Sequence, residues 1–234
     1  MSLFHPCFLR VAPPDGGMLY TETNMERLFP EPLNMLTSCF FLALAVYWTF
    51  RLRGNFRSYA FLSICLALLY IGGIGGTIYH GLRQWNFFIM MDWLPIMLLC
   101  LMAGVYFLAR ITRWYFAALI LIVYFIFQIL VRRMLAGRDM QLFINVNYGV
   151  MGLIVLLPVL LYLYKTNWKH GRYVGFALAS FVPALIFRIS DGSGLLPVGT
   201  HFLWHTFGAM AAFFMFRFIY ETSRPEALQS GNQP

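Results

Sequence analysis

The chain has 234 residues, of which 60% are hydrophobic and only 11% charged, with a mean hydropathy of +0.69 and a formal net charge of +8. A water-soluble globular chain carries about 25% charged residues, so that class is excluded. The basic excess falls at the ends of apolar stretches, where Lys and Arg set topology and favour anionic headgroups. No nucleic-acid motif accompanies it, and no nucleic-acid partner is expected.

In chain order, residues 1–32 carry Pro13, Pro14, Gly16 and Gly17 and no apolar leader core. They read as a non-membrane segment without a cleavable signal peptide, so the first span would direct insertion. Seven apolar stretches follow: Leu33 to Phe50, Tyr59 to Tyr79, Phe87 to Ala109, Trp114 to Val131, Gln141 to Tyr164, Tyr173 to Ile189, and Thr200 to Tyr220. Each is near the ~20 residues that cross a bilayer core. Strand-like alternation is absent, so the expected fold is an all-α membrane protein, a seven-transmembrane helix bundle. Residues 33–220 form one membrane domain, and 221–234 a polar tail. Cys7, Cys39, Cys65 and Cys100 have no metal or redox spacing. Ten Lys and Arg residues on the side of the C-terminus, against seven opposite, predict N-terminus out and C-terminus cytoplasmic. The short loops and compact tails suggest a bacterial inner membrane, or an ER or Golgi membrane if the source is eukaryotic.

The polar residues within the spans are few. His80 closes span two, Asp92 opens span three, and His201 and His205 open span seven. With seven spans, all four fall near one membrane face in either orientation. His201 and His205, four residues apart, share one helical face. A third histidine from another helix makes three nitrogen ligands with a fourth position open, the arrangement of a catalytic zinc site. Asp92 is the only carboxylate well inside a span. It suits a general base and acid, or a hydrogen-bond partner of a histidine ligand. Alternatives remain at this point: interhelical hydrogen bonding by the HxxxH pair, an interfacial His80, Asp92 pairing with Arg188, and haem ligation.

The text around these residues resembles the alkaline ceramidase family, within a wider group of seven-span membrane hydrolases that includes the progestin and adipoQ receptors. The matching segments are Tyr20-Thr-Glu22 with Glu31-Pro-Leu-Asn34 and Thr37-Ser38, then Gly76-Thr-Ile-Tyr-His80 with Met91-Asp-Trp-Leu-Pro95, and Gly199-Thr-His-Phe-Leu-Trp-His205. The resemblance implies zinc on His80, His201 and His205, and hydrolysis of the amide of ceramide-like membrane lipids to a fatty acid and a sphingoid-type amine. In that chemistry the metal activates water and polarises the carbonyl, while Asp92 carries the proton. Where the family has a serine four residues before the span-two histidine, this chain has Gly76. Thr77 is its neighbour, and Tyr148 matches a span-five tyrosine that would stabilise the oxyanion. Thr77 also reads as a packing residue among the surrounding glycines, and Asn145 and Asn147 as polar residues lining a cavity. The family also implies calcium, with Glu22, Asn24 and Glu31 as oxygen ligands. The expected aspartate is replaced by Leu19, and a plain helix-capping role for these acids is the competing reading. Gly76 favours a receptor or sensor that binds lipid without turnover; Asp92 favours catalysis. A transporter or haem-binding bundle is the third possibility.

Overall fold

The computed structural model describes residues 12–135 and 140–223. Among them are seven α-helices: α1 (Pro32–Leu52), α2 (Ala60–Leu82), α3 (Asn86–Ile111), α4 (Trp114–Leu135), α5 (Met140–Lys165), α6 (Gly171–Ile189) and α7 (His201–Thr222). All seven are long and apolar enough to cross a membrane. The expected all-helical seven-span bundle is therefore the observed architecture. The helices overrun the apolar stretches by a few residues, because the flanking polar residues continue the backbone hydrogen-bond ladder after hydrophobicity ends. His80 consequently sits inside the last turn of α2, and Glu221 belongs to α7. Cys7, Arg10, Arg138 and the tail from Arg224 lie outside the described residues.

Helix α1 packs against α2 and α7, α2 against α3, α3 against α4 and α5, and α6 against α7, whereas α5 and α6 touch only sparsely. Small residues set the closest approaches. A Cβ at Gly75 would lie 2.6 Å from the backbone carbonyl carbon of Met91, and one at Gly73 would lie 3.0 Å from the Leu42 backbone nitrogen. Without a hydrophobic drive between helices in lipid, such contacts are what hold α1, α2 and α3 together. Pro95, one turn beyond Asp92, packs beside Gly72 within α3.

The main apolar core gathers Trp48, Leu52, Leu62, Phe107, Val159, Leu163 and Phe218. These positions lie towards the ends of α1, α3, α5 and α7 and the start of α2, which is the end of the bundle away from the histidines. Phe125, Ile126 and Ile129 on α4 are exposed, as lipid-facing residues are. The N-terminal segment is more than an extramembrane lead-in. From Pro13 onward it folds over the histidine end, burying Asp15, Glu22 and Thr23.

Candidate metal centre

The ends of α2 and α7 bring three imidazoles together. One ligand nitrogen from each of His80, His201 and His205 lies within 4.8 Å of the other two, and all three residues are buried. Span counting predicted this convergence, and the helical HxxxH spacing puts two of the rings on one face. The His80–His205 and His201–His205 ring centroids are each 4.8 Å apart. Nε2 of His80 and Nε2 of His205 are buried without a hydrogen-bond partner. Orphaned buried acceptors are costly, and a tetrahedral zinc, which takes neutral imidazole nitrogen at about 2.0–2.1 Å, would satisfy them. The donor set therefore fits the metal implied by the sequence.

A carboxylate orients the first of these rings. Glu31 immediately precedes α1 and is fully buried; its Oε2 lies 2.5 Å from His80 Nδ1. That contact leaves Nε2 as the nitrogen facing the cluster, the pairing that fixes a metal-binding histidine's tautomer and orientation. The other Glu31 oxygen accepts from Arg83 Nη1 and, at 2.6 Å, from Thr23 Oγ1. Arg83, itself fully buried, also forks onto Asp15, with Nε at 2.7 Å from Oδ2 and Nη2 at 3.1 Å from Oδ1. Burial works against ionisation of Glu31, but hydrogen bonding and charge from His80, with the Arg83 charge, hold its carboxyl below the usual range. An Asp15–Arg83–Glu31–His80 chain thus ties the N-terminal segment to the cluster.

Tyr20 completes the cover. Its ring stacks on His201 with centroids 3.9 Å apart, and burial pushes its hydroxyl pKa up. Asp191 anchors the start of α7: Oδ1 accepts from the backbone N–H of Thr200 at 2.8 Å and of His201 at 2.9 Å. Its Oδ2 accepts from Thr21 N–H at 2.8 Å. This carboxylate satisfies donors that a helix N-terminus leaves unpaired. Gly199 allows it, since φ is +78° and a Cβ there would lie 2.3 Å from Asp191 Oδ1.

Asp92 faces the same region from α3. Among the described residues its carboxylate enters no hydrogen bond or ion pair within 4.0 Å, so the alternative of a direct pair with Arg188 does not form, although the Arg188 charge acts on it at longer range. Its Oδ1 lies 2.5 Å from where a Gly76 Cβ would be, and Ser38 Oγ lies 3.3 Å from the same point. Gly76 therefore makes room for Asp92, and the Ser38 hydroxyl of α1 lies within about 6 Å of that carboxylate oxygen while donating to Asn34 O at 2.8 Å. Thr77 goes elsewhere: its hydroxyl donates to Gly73 O at 2.7 Å and contacts Cys39 Sγ. Tyr148 does reach the site, packing edge-on to Trp204 at 4.8 Å. Asn147 instead joins Gln128 and the Phe143 carbonyl within the α4–α5 contact.

The three residues implied for calcium have their oxygens engaged by protein donors. Glu22 accepts the backbone N–H of Leu33 at 2.6 Å and of Asn34 at 2.9 Å, a capping role. Burial nevertheless raises its pKa, with those two hydrogen bonds opposing. Asn24 Oδ1 accepts from Glu26 N–H at 2.9 Å. The positive charge facing Glu31 is the Arg83 guanidinium.

Below the histidines runs a cavity of about 230 Å³, lined at one end by Asp92, Tyr148, Trp204 and His205 and at the other by Val159, Phe216 and Ile219. From His205 to Ile219 the helical rise of 1.5 Å per residue gives about 21 Å. That exceeds the ~15 Å that one leaflet contributes to a ~30 Å hydrocarbon core. The walls between its ends are almost wholly apolar, so the space suits one long acyl chain.

Comparison with protein-family models, curated proteins and solved structures finds no match. The molecule is, on its own geometry, a seven-helix membrane protein with a buried three-histidine cluster opening onto an apolar cavity.

Proposed function

We propose that the protein is a zinc-dependent membrane amidase that hydrolyses ceramide-like N-acyl lipids to a free fatty acid and an amine. The observation that carries this reading is the three-histidine cluster placed, with an unpartnered Asp92, at the head of an acyl-length cavity. A receptor or sensor would need the cavity but not the free carboxylate.

The acyl chain lies in the cavity with its amide carbon beside Asp92, Tyr148 and His205. It enters sideways from the bilayer, along the sparsely packed seam between α5 and α6. When bound by His80, His201 and His205, zinc supplies Lewis acidity and a water whose pKa is brought near 7. Asp92 would accept one proton from the attacking water and deliver it to the departing amine nitrogen. The C–N bond breaks as the C–O bond to the water oxygen forms; one water is consumed and no oxidant is needed. Tyr148 donates its hydroxyl to the oxygen on which negative charge grows. Glu31 holds the His80 ring in place, and Tyr20 shields His201 from water. Calcium gains no support from Glu22, Asn24 and Glu31, whose oxygens already have protein donors.

Metal analysis and an N-acyl lipid panel test the proposal together. Expected are about one zinc per purified chain and fatty-acid release, with zinc lost in His201→Ala. Asp92→Asn should keep zinc and lose roughly 10²–10⁴-fold in turnover, as removal of a general base does. A metal-free preparation, or Asp92→Asn at the parent rate, defeats the mechanism.

A further inference from the structure

Arg188 is a buried cation that the amidase chemistry leaves unused. It lies in the last turn of α6 and is 7% exposed. Its Cζ sits 4.6 Å from the centre of the Tyr148 ring and 5.4 Å from that of Trp204. Nε is buried with no hydrogen-bond partner. Among the described residues no carboxylate comes within ion-pairing distance. A buried, uncompensated charge is expensive. Here a buried arginine has aromatic faces beside it and, among the described residues, no carboxylate within 4.0 Å; Asp92 acts on it only from beyond contact distance.

Its position says which half of a lipid it would meet. Tyr148 and Trp204 line the cavity head together with Asp92 and His205, and the guanidinium, which does not itself line the cavity, packs on these two rings beside the place assigned to the amide. Arg188 is one residue from the end of α6, and Trp204 lies in the first turn of α7. The cavity leaves this point in the opposite direction, towards Phe216 and Ile219. A chain lying in the cavity therefore points its head group towards Arg188. Arginine tolerates aromatic packing because it is weakly hydrated, and its planar fork matches the two oxygens of a carboxylate.

We propose that Arg188 forms a subsite for a carboxylate carried by the amine half of the lipid, next to the scissile amide. The favoured substrates are then N-acyl amino acids rather than lipids with neutral heads. This inference rests on the amidase reading for its chemistry but not for its binding step.

The experiment compares N-palmitoylglycine with neutral N-palmitoylethanolamine, measuring binding and hydrolysis separately on the full-length, zinc-loaded protein in detergent. The parent should bind the carboxylate lipid roughly tenfold or more tightly, in line with a buried charge-assisted contact. Arg188→Gln should erase that preference and Arg188→Lys should restore part of it. Equal binding of both lipids by the parent overturns the subsite, as does an Arg188→Gln variant that weakens both by the same factor. Palmitate is the control for the other source of a carboxylate. If Arg188→Gln relieves palmitate inhibition while the head-group preference survives, the residue holds the fatty-acid product and the proposal fails. A carboxylate preference in binding without turnover of either lipid would keep the subsite and reject the amidase.

Discussion

A methyl group added at Gly75 would lie 2.6 Å from the Met91 backbone carbonyl carbon, whereas one added at Gly149 or Gly175 would meet nothing within 4 Å. The first belongs to α2 and the other two to α5 and α6. Around α2 the backbones of α1 and α3 close in, the N-terminal segment folds over the top, and buried charges fix His80. Along α5 and α6 the helices barely meet, and their inner faces line the acyl cavity. The contrast matches two demands on the proposed hydrolase. Ligands and base must be held rigidly, while a long chain must enter from lipid.

The largest test of the rigid half is Glu31→Gln. The substitution keeps the shape but removes the charge facing Arg83 and leaves one acceptor oxygen to serve either Arg83 with Thr23 or His80 with Asn34. Breaking a buried charge pair costs about 3–5 kcal/mol. Losing a histidine's outer partner weakens metal binding roughly 10–100-fold. Thermal unfolding in detergent and zinc competition with a chelator read the two effects. Parent values in both would mean that the Asp15–Arg83–Glu31–His80 chain does not support the cluster.

Gly76→Ser comes next and introduces the serine that the resembling family carries at this position. Restoring the serine places a Cβ 2.5 Å from Asp92 Oδ1, so the carboxylate must move. Overpacking of this kind costs about 1–3 kcal/mol. Misplacement of a catalytic group by about 1 Å costs on the order of 10²-fold in rate. Turnover should therefore fall while zinc content stays at the parent level. An increase in kcat would show that the glycine is a true loss and that Ser38 does not fill the vacated place.

How much of this was legible in the sequence follows from the range of each interaction. The seven spans were visible because bilayer thickness imposes a long apolar run on each helix. The convergence of His80, His201 and His205 needed only the parity of the spans. The N-terminal cover was hidden, since Asp15 and Arg83 are 68 positions apart and no periodicity links them. Arg83 counts in the sequence only as one of the seven basic residues opposite the C-terminus, and no motif marks Asp191. Gly76 looked like a missing hydroxyl because a sequence does not show that Ser38, on another helix, faces the same space. Thr77, its neighbour in sequence, turns to Gly73 and Cys39 because successive helix positions point about 100° apart.

The smallest predicted effect tests the open half. At Gly149 and Gly175 an alanine meets nothing within 4 Å, and neither residue has a positive φ. Removing glycine's extra backbone freedom from a helix interior should stabilise by roughly 0.5–1 kcal/mol. Gly149→Ala and Gly175→Ala should therefore raise the unfolding midpoint slightly and leave zinc content at the parent level. Gly152 lies between the two regimes, because a Cβ there would meet only the edge of the Phe181 ring, at 3.1 Å. Since Gly152 and Phe181 both line the cavity from the two sides of the seam, Gly152→Ala would push that ring into the entry route. If lipid enters between α5 and α6, this variant raises KM for long-chain substrates more than it changes kcat. Equal KM values for Gly149→Ala, Gly152→Ala and the parent would place the entry route elsewhere and leave the sparse α5–α6 contact without a role in substrate access.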